Sequence, residues 1–400
     1  MLRGLWFIQT FDPAKGRYSK MNILHIIPNI NLKMGGTAYA VINILMLEKD
    51  MGVKSTVLSI NANESDPNLL ELATAIILPP SFPARFARSR NANKWLNENA
   101  SNYDLAMIHT IWGALPIEAS RILNSLRVPF VIWPHGGLDP FDLRKKKYMK
   151  KILGPFLIRS MLNKSAAIVC TARLEAERIE RYGAKDKTTV LPLPINHLPI
   201  AGNRQKFRQK FSLDDNDFVF LFLSLLYYKK GLNLLLPAIK KVSKSYPNIK
   251  LIIAGSDLRG YGKKVRAWIQ KYELKDTVIM PGFLSGHDKQ DAFVGSDCFV
   301  LPSMNENFGI AIVEALSAGL PVLISDNVYI WKEIIQSGGG WICNYSIESL
   351  IDSITDILNS PSDLKRKKEN ARRSAQIFSP EKLEASYKQF YEKIRNRHDK

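Results

Sequence analysis

The chain has 400 residues, 46% of them hydrophobic, and a formal net charge of +19, enough apolar material for two ordinary domains with separate cores. No apolar run approaches the roughly 20 residues that span a bilayer, and the amino terminus lacks the apolar stretch and cleavage site of a secretory leader. The three cysteines, Cys170, Cys298 and Cys343, stand far apart in apolar contexts without metal-ligand spacing, and read as buried thiols of a cytoplasmic protein.

Residues 1–20 read as a poorly ordered extension, because Met21 to Ile27 opens like a first core strand. Gly35-Gly36-Thr37 follows, then a helix to about Met51 and a strand from Ser55 to Ile60. Glycines between strand and helix let backbone amides approach a phosphate or a sugar, although the pair also fits an ordinary turn and is no G-x-G-x-x-G fingerprint. Strands at 105–109, 128–133 and 166–170, each followed by a helical stretch, imply a parallel sheet covered on both faces. His109 ends one strand and His135 follows another, in Trp133-Pro134-His135-Gly136-Gly137; each fits a turn-capping role or a place beside a ligand. The densest basic run, Arg144-Lys145-Lys146-Lys147-Tyr148-Met149-Lys150-Lys151, continues into Phe156, Leu157, Ile158, Met161 and Leu162. This interleaving fits a surface that meets anionic lipid headgroups, and equally a solvated helix face. No nucleic-acid motif accompanies the charge, so nucleic acid is not an expected partner.

Pro192 to Arg204 interrupts the periodicity and reads as a linker. It separates a domain at 21–198 from one at 199–378, with a final helix at 379–400 opened by Ser379-Pro380-Glu381. The second series of strands is expected at 218–224, 249–254, 278–280, 298–301 and 321–324. Two such layers enclose a cleft, and ligands in open parallel sheets bind beyond the carboxyl ends of strands. Lys229 and Lys230 lie at one such end. Beyond Leu301, Asn307 to Ser317 reads as an amphipathic helix ended by Gly319 and Pro321. Glu306 then sits at its mouth and Glu314 about two turns inside, on the same side and roughly 10 Å apart. Amides of Asn307, Phe308 and Gly309 at such a terminus form a receptor for a diphosphate, and Glu314 can accept from a ribose diol.

The pair Glu306 and Glu314, framed by Leu301-Pro302-Ser303, Glu306-Asn307-Phe308-Gly309 and Gly319-Leu320-Pro321-Val322, resembles the E-x7-E element of retaining glycosyltransferases of family four. The resemblance runs from about residue 21 to 395 and is most specific at 306–321 and 133–140. It implies an α/β GT-B fold, two facing Rossmann-like domains with the last helix returning to the first. It implies a nucleotide-sugar donor, retained anomeric configuration and a saccharide or lipid-linked acceptor in envelope or exopolysaccharide assembly, on the cytoplasmic face of an anionic membrane.

The same resemblance assigns roles. Gly35, Gly36 and Thr37 line the cleft, and Lys230 with the amides near Phe308 and Gly309 stabilises the leaving diphosphate. Glu314 holds the ribose, while Glu306 and His135 position the sugar. No metal or other cofactor is expected, since no D-x-D element stands where a metal-dependent transferase needs one. One departure stands out: Leu225 occupies the place of the family's diphosphate arginine. Either Lys229 supplies the second charge or donor use is weakened. The other readings are a GT-B nucleotide-sugar epimerase and a catalytically silent membrane-surface scaffold of the same fold.

Overall fold

Continuous apolar runs such as Phe218-Val219-Phe220-Leu221-Phe222-Leu223 suit strands buried on both faces, and they become the centres of two wholly parallel sheets. The computed structural model describes residues 21–61, 69–82, 86–137, 154–180, 184–196, 202–258 and 260–398. The first sheet contains β1 (Asn22–Ile27), β2 (Lys54–Ser59), β3 (Thr74–Ile77), β4 (Leu105–His109), β5 (Phe130–Trp133), β6 (Ala167–Cys170) and β7 (Thr188–Val190), in the order 3-2-1-4-5-6-7. The second contains β8 (Phe218–Leu223), β9 (Ile249–Ala254), β10 (Val278–Gly282), β11 (Cys298–Leu301), β12 (Val322–Ser325) and β13 (Gly340–Cys343), in the order 10-9-8-11-12-13. Strand order reverses beside β1 in one sheet and beside β8 in the other. Loops leaving the carboxyl ends of strands diverge at such reversals and leave a crevice.

The helices that shape this crevice are α1 (Gly36–Asp50), α2 (Arg173–Glu180), α3 (Leu232–Ser243), α4 (Gly286–Gly295) and α5 (Ile310–Ser317), with α6 (Pro380–His398) at the end of the chain. α6 buries Leu383, Tyr387, Phe390, Tyr391 and Ile394, each side chain contributing about 1.5–3 kcal/mol. It packs on the first half of the chain: the Tyr387 hydroxyl donates to the Pro192 carbonyl at 3.0 Å and the Tyr391 hydroxyl to Glu48 at 2.6 Å. Beside it, the Ile195 amide donates to the Phe378 carbonyl at 2.8 Å.

Three departures from the sequence reading have physical reasons. Strands β3, β7 and β13 were not anticipated; all three are edge strands and partly exposed, so they lack the continuous apolar run of a central strand. Helix α5 begins at Ile310, not Asn307, because Gly309 takes the left-handed conformation with φ 79°. Ile158, Met161 and Leu162, read as part of a membrane-facing surface, are packed into the first domain's core. The basic run at 144–151 and the extension at 1–20 lie outside the described residues.

Candidate functional site

One wall of the cleft is built by the second sheet. Lys230 ends a short turn, Tyr228–Lys230, that leaves β8, and Gly231 then adopts φ 79°. A Cβ at Gly231 would lie 1.9 Å from the Pro302 carbonyl oxygen, so only glycine lets the Lys230 loop touch the Glu306 loop. The Glu306 backbone is fixed on both sides, its amide donating to Asn327 at 3.1 Å and its carbonyl accepting from Tyr329 at 3.0 Å. These contacts bring the Lys230 ammonium onto the Glu306 carboxylate as an ion pair. A Cβ at Gly309 would meet Glu306 Cγ at 3.3 Å and Ile312 Cδ1 at 2.5 Å, which explains glycine beside the acid.

Glu314, one helix turn and more inside α5, is paired with Lys289 of α4 at 2.6 Å. The Lys289 ammonium also lies 5.1 Å from the centre of the Tyr39 ring on α1. Both lysine–glutamate pairs are largely buried, with 10–18% of their side-chain surface exposed. Together with Lys33, Gly35, Gly36, Leu225 and the first turn of α5 they line one pocket between the two sheets. A Cβ at Gly35 or Gly36 would meet nothing within 4 Å, so the glycines leave open space on the pocket side.

The opposite wall comes from the first sheet. His135 sits after β5 with φ 48°, a left-handed backbone that costs a non-glycine residue about 1–2 kcal/mol. The turn is closed by the Gly137 amide on the Pro134 carbonyl at 2.9 Å. It folds the imidazole back so that Nε2 meets Nδ1 of His109 at 3.1 Å. Burial pushes the His135 pKa down to about 4. The neighbouring Gly136 amide donates to Glu175 at 2.8 Å, and burial raises that carboxyl against the opposing effect of the Gly136 and Thr171 amides.

The two walls are tied together. Asn307 Nδ2 donates to Thr171 Oγ1 at 2.9 Å, and Arg178 of α2 donates to Asn305 at 3.0 Å and to the Tyr329 hydroxyl. A Cβ at Gly136 would be 3.3 Å from that of Asn307, so the His135 turn and the Glu306 loop abut across the cleft.

Several expected residues are placed differently. Asn307 is an inter-domain clasp, and Phe308 is 3% exposed with its ring edge-on to Phe378. At this turn Gly309, Ile310 and Ala311 line the pocket in place of Asn307 and Phe308. Lys229 is buried, its carbonyl accepting from Met304 at 2.7 Å, and Thr37, Lys229 and His135 are not among the pocket-lining residues. Sequence reading missed Lys289, Lys33 and Tyr39, for which no spacing signal exists. It also missed His25 and Glu48, although a histidine inside Ile23-Leu24-His25-Ile26-Ile27 signals a buried polar group in need of a partner. The three cysteines are buried, with the Cys343 thiol pushed up to about 12 by burial and then by Asp326. Among the described residues, no cluster of metal-ligating side chains forms and no helix is long and apolar enough to cross a membrane.

Two Rossmann-like domains facing across a cleft, with the final helix returning to the first, define the GT-B class of fold. The solved structure of Anabaena Alr3699/HepE in complex with UDP and glucose shares it, with a TM-score of 0.76 at 18% identity over 93% of this chain and 100% of that one. Residues 34–197 match the family model for Glycosyltransferase Family 4, and residues 203–374 match that for Glycosyl transferases group 1. The chain belongs to glycosyltransferase family four. It is 26% identical over 304 residues to the alpha-monoglucosyldiacylglycerol synthase of Streptococcus pneumoniae, covering 72% of this chain and 68% of that protein. It is 24% identical over 318 residues to the processive diacylglycerol alpha-glucosyltransferase of Acholeplasma laidlawii, covering 75% and 88%.

Proposed function

We propose that the protein is a retaining, metal-independent glycosyltransferase that moves a sugar from a nucleotide-sugar donor to a lipid-linked or saccharide acceptor at the cytoplasmic face of a membrane. The observation that carries this reading is the double pairing of Lys230 with Glu306 and Lys289 with Glu314 in one pocket between the sheets. Each acid holds a lysine in place while the pocket is empty. An arriving diphosphate takes over the ammonium groups and frees the carboxylates for hydroxyls, Glu314 for the ribose and Glu306 for the transferred sugar. Lysines and the positive end of α5 then stabilise the leaving diphosphate, the task a metal ion performs elsewhere. Neutral His135 borders the sugar without adding charge where the anomeric carbon becomes positive.

Retention is supported by the Glu306 to Glu314 element of the family. A lipid acceptor and peripheral membrane attachment are supported by the diacylglycerol in the names of two relatives and by the +19 charge, which favours anionic surfaces. The test begins with thermal stabilisation by UDP, GDP, ADP and TDP. Release of nucleoside diphosphate from the matching sugar donor follows, then the anomeric configuration of the product by NMR. An epimerase would return altered donor sugar, and a silent scaffold would release nothing. Absence of both stabilisation and release across the panel ends the reading.

A further inference from the structure

Behind His135, a chain of buried polar groups crosses the first domain. His109 Nδ1 faces His135 at 3.1 Å, and its Nε2 faces Nδ1 of His25 at 3.0 Å. His25 Nε2 meets Glu48 at 2.8 Å. His25, His109 and Glu48 are all 0% exposed, and the rings are nearly parallel, at 9° and 21° between successive planes. They lie on β1, β4 and α1, the elements beside the reversal of strand order. Glu48 also accepts from Ser55 at 2.6 Å and from Tyr391 of α6 at 2.6 Å.

Proton placement in this chain follows from counting. Three donors converge on Glu48, which suits a carboxylate, because an acid would need one of them to act as acceptor. Burial and then the Glu48 charge keep the Tyr391 hydroxyl protonated. A neutral imidazole has one donor and one acceptor. With His25 neutral and donating from Nε2 to Glu48, its Nδ1 accepts; His109 must donate to that atom from Nε2, so its own Nδ1 accepts. His135 must then donate from Nε2, and only its Nδ1 remains, bearing a lone pair. Burial keeps His109 from becoming a cation, and a charge on either neighbouring ring would only oppose its protonation further. Among the described residues, the other ionisable groups beside the chain are Tyr387, which stacks on Trp133, and Glu175, which holds the next amide after His135.

We propose that Glu48, His25 and His109 are positioning residues that fix His135 in its Nε2–H tautomer, so that it meets the cleft solely as a hydrogen-bond acceptor for a hydroxyl. Resting on the glycosyl-transfer reading, this assigns His135 to a sugar or acceptor hydroxyl and excludes it from holding phosphate. It also makes the docking of α6, through Tyr391, part of the site's proton arrangement.

The test is a long-range proton–nitrogen correlation spectrum of the 15N-labelled full chain near neutral pH. The expected result is that all three histidines are neutral Nε2–H tautomers, whether or not any variant folds. Glu48→Gln offers an amide nitrogen to His25 and Ser55 while its oxygen still serves Tyr391, and should turn His135 into the Nδ1–H tautomer. With UDP-glucose or GDP-mannose, whichever the wild type turns over, kcat should fall at least tenfold while KM changes less than threefold; Glu48→Asp should recover part of the loss. A wild-type His135 found as a cation or as Nδ1–H overturns the proposal. So does a Glu48→Gln protein that keeps the original tautomers, or one that reverses them with kcat unchanged. Failure of the wild type to turn over either donor bears on the transferase reading and leaves the spectral test standing.

Discussion

The two walls of the cleft manage polarity in opposite ways. On the second-domain side, lysines and glutamates are paired directly, 10–18% exposed and facing the pocket. On the first-domain side, the buried carboxylate of Glu48 is linked through His25 and His109 to His135, whose protonation burial disfavours. The difference matches the two ends of a nucleotide sugar. A diphosphate brings negative charge and needs cations that can change partners, whereas a sugar with developing positive charge needs oriented acceptors and no cation. Exposure sets the chemistry: water reaching the lysine pairs softens the cost of exchange, but a buried charge that loses its partner costs about 3–5 kcal/mol.

Breaking the lysine wall should produce the largest effect. Lys230→Ala removes a charge-assisted contact worth roughly 1.5–3 kcal/mol, so affinity for the preferred nucleoside diphosphate should fall by about one to two orders of magnitude. The bare nucleoside should bind as before, and calorimetry with both ligands reads the contrast. Breaking the histidine wall should separate from this. His135→Ala is expected to lower kcat by about tenfold and to leave diphosphate affinity within about twofold. Equal losses of diphosphate affinity in the two variants would erase the distinction between the walls. Lys289→Met sharpens it further, since Lys289 lines the same pocket as Leu225, the residue at the place of the family's arginine. It should weaken the diphosphate by about tenfold, whereas buried Lys229→Met should change stability more than affinity.

Acid should unsettle the histidine wall first. Burial depresses His135 from 6.5 to about 4 and also depresses His109. Unfolded histidines take up protons near 6.5 that the folded chain refuses, so their contribution to stability is complete above pH 6.5 and is lost as pH falls toward 4. Denaturant midpoints should decline across that window, and the decline should shrink in a His109→Phe background. A flat profile would mean that the buried imidazoles take up protons as readily as those of the unfolded chain.

Much of this was legible before any coordinates. Central strands announced themselves because burial on both faces leaves an unbroken apolar run, and Glu306, Glu314, Lys230 and His135 stood in segments whose flanking glycines narrow the backbone choices. The start of α5 was misplaced because one left-handed glycine, Gly309, interrupts a stretch that is otherwise helical in pattern. Lys289 was invisible for another reason: its partner, Glu314, is 25 positions away, and a lone lysine on an amphipathic helix carries no mark of its target. Glu48 was hidden likewise, since its three partners come from β1, β2 and α6, which only the tertiary fold assembles.

The smallest expected change tests whether the lysine wall is complete. Leu225 lines the pocket with Lys230 and Lys289, where the family's arginine belongs. If Lys289 already replaces that charge, Leu225→Arg adds a cation to a pocket that Lys33, Lys230 and Lys289 already line, and part of its attraction is spent on Glu306 and Glu314, which a further cation would hold in competition with ligand hydroxyls. The gain in diphosphate affinity should therefore stay below about tenfold in the wild-type background. In the Lys289→Met background the same substitution should recover most of the lost affinity, because arginine then replaces the missing charge and can bind the diphosphate in a bidentate manner. A double-mutant cycle measures this coupling directly. Additive effects would show that Leu225 and Lys289 serve different parts of the ligand, and that the second cation of this cleft is neither of them.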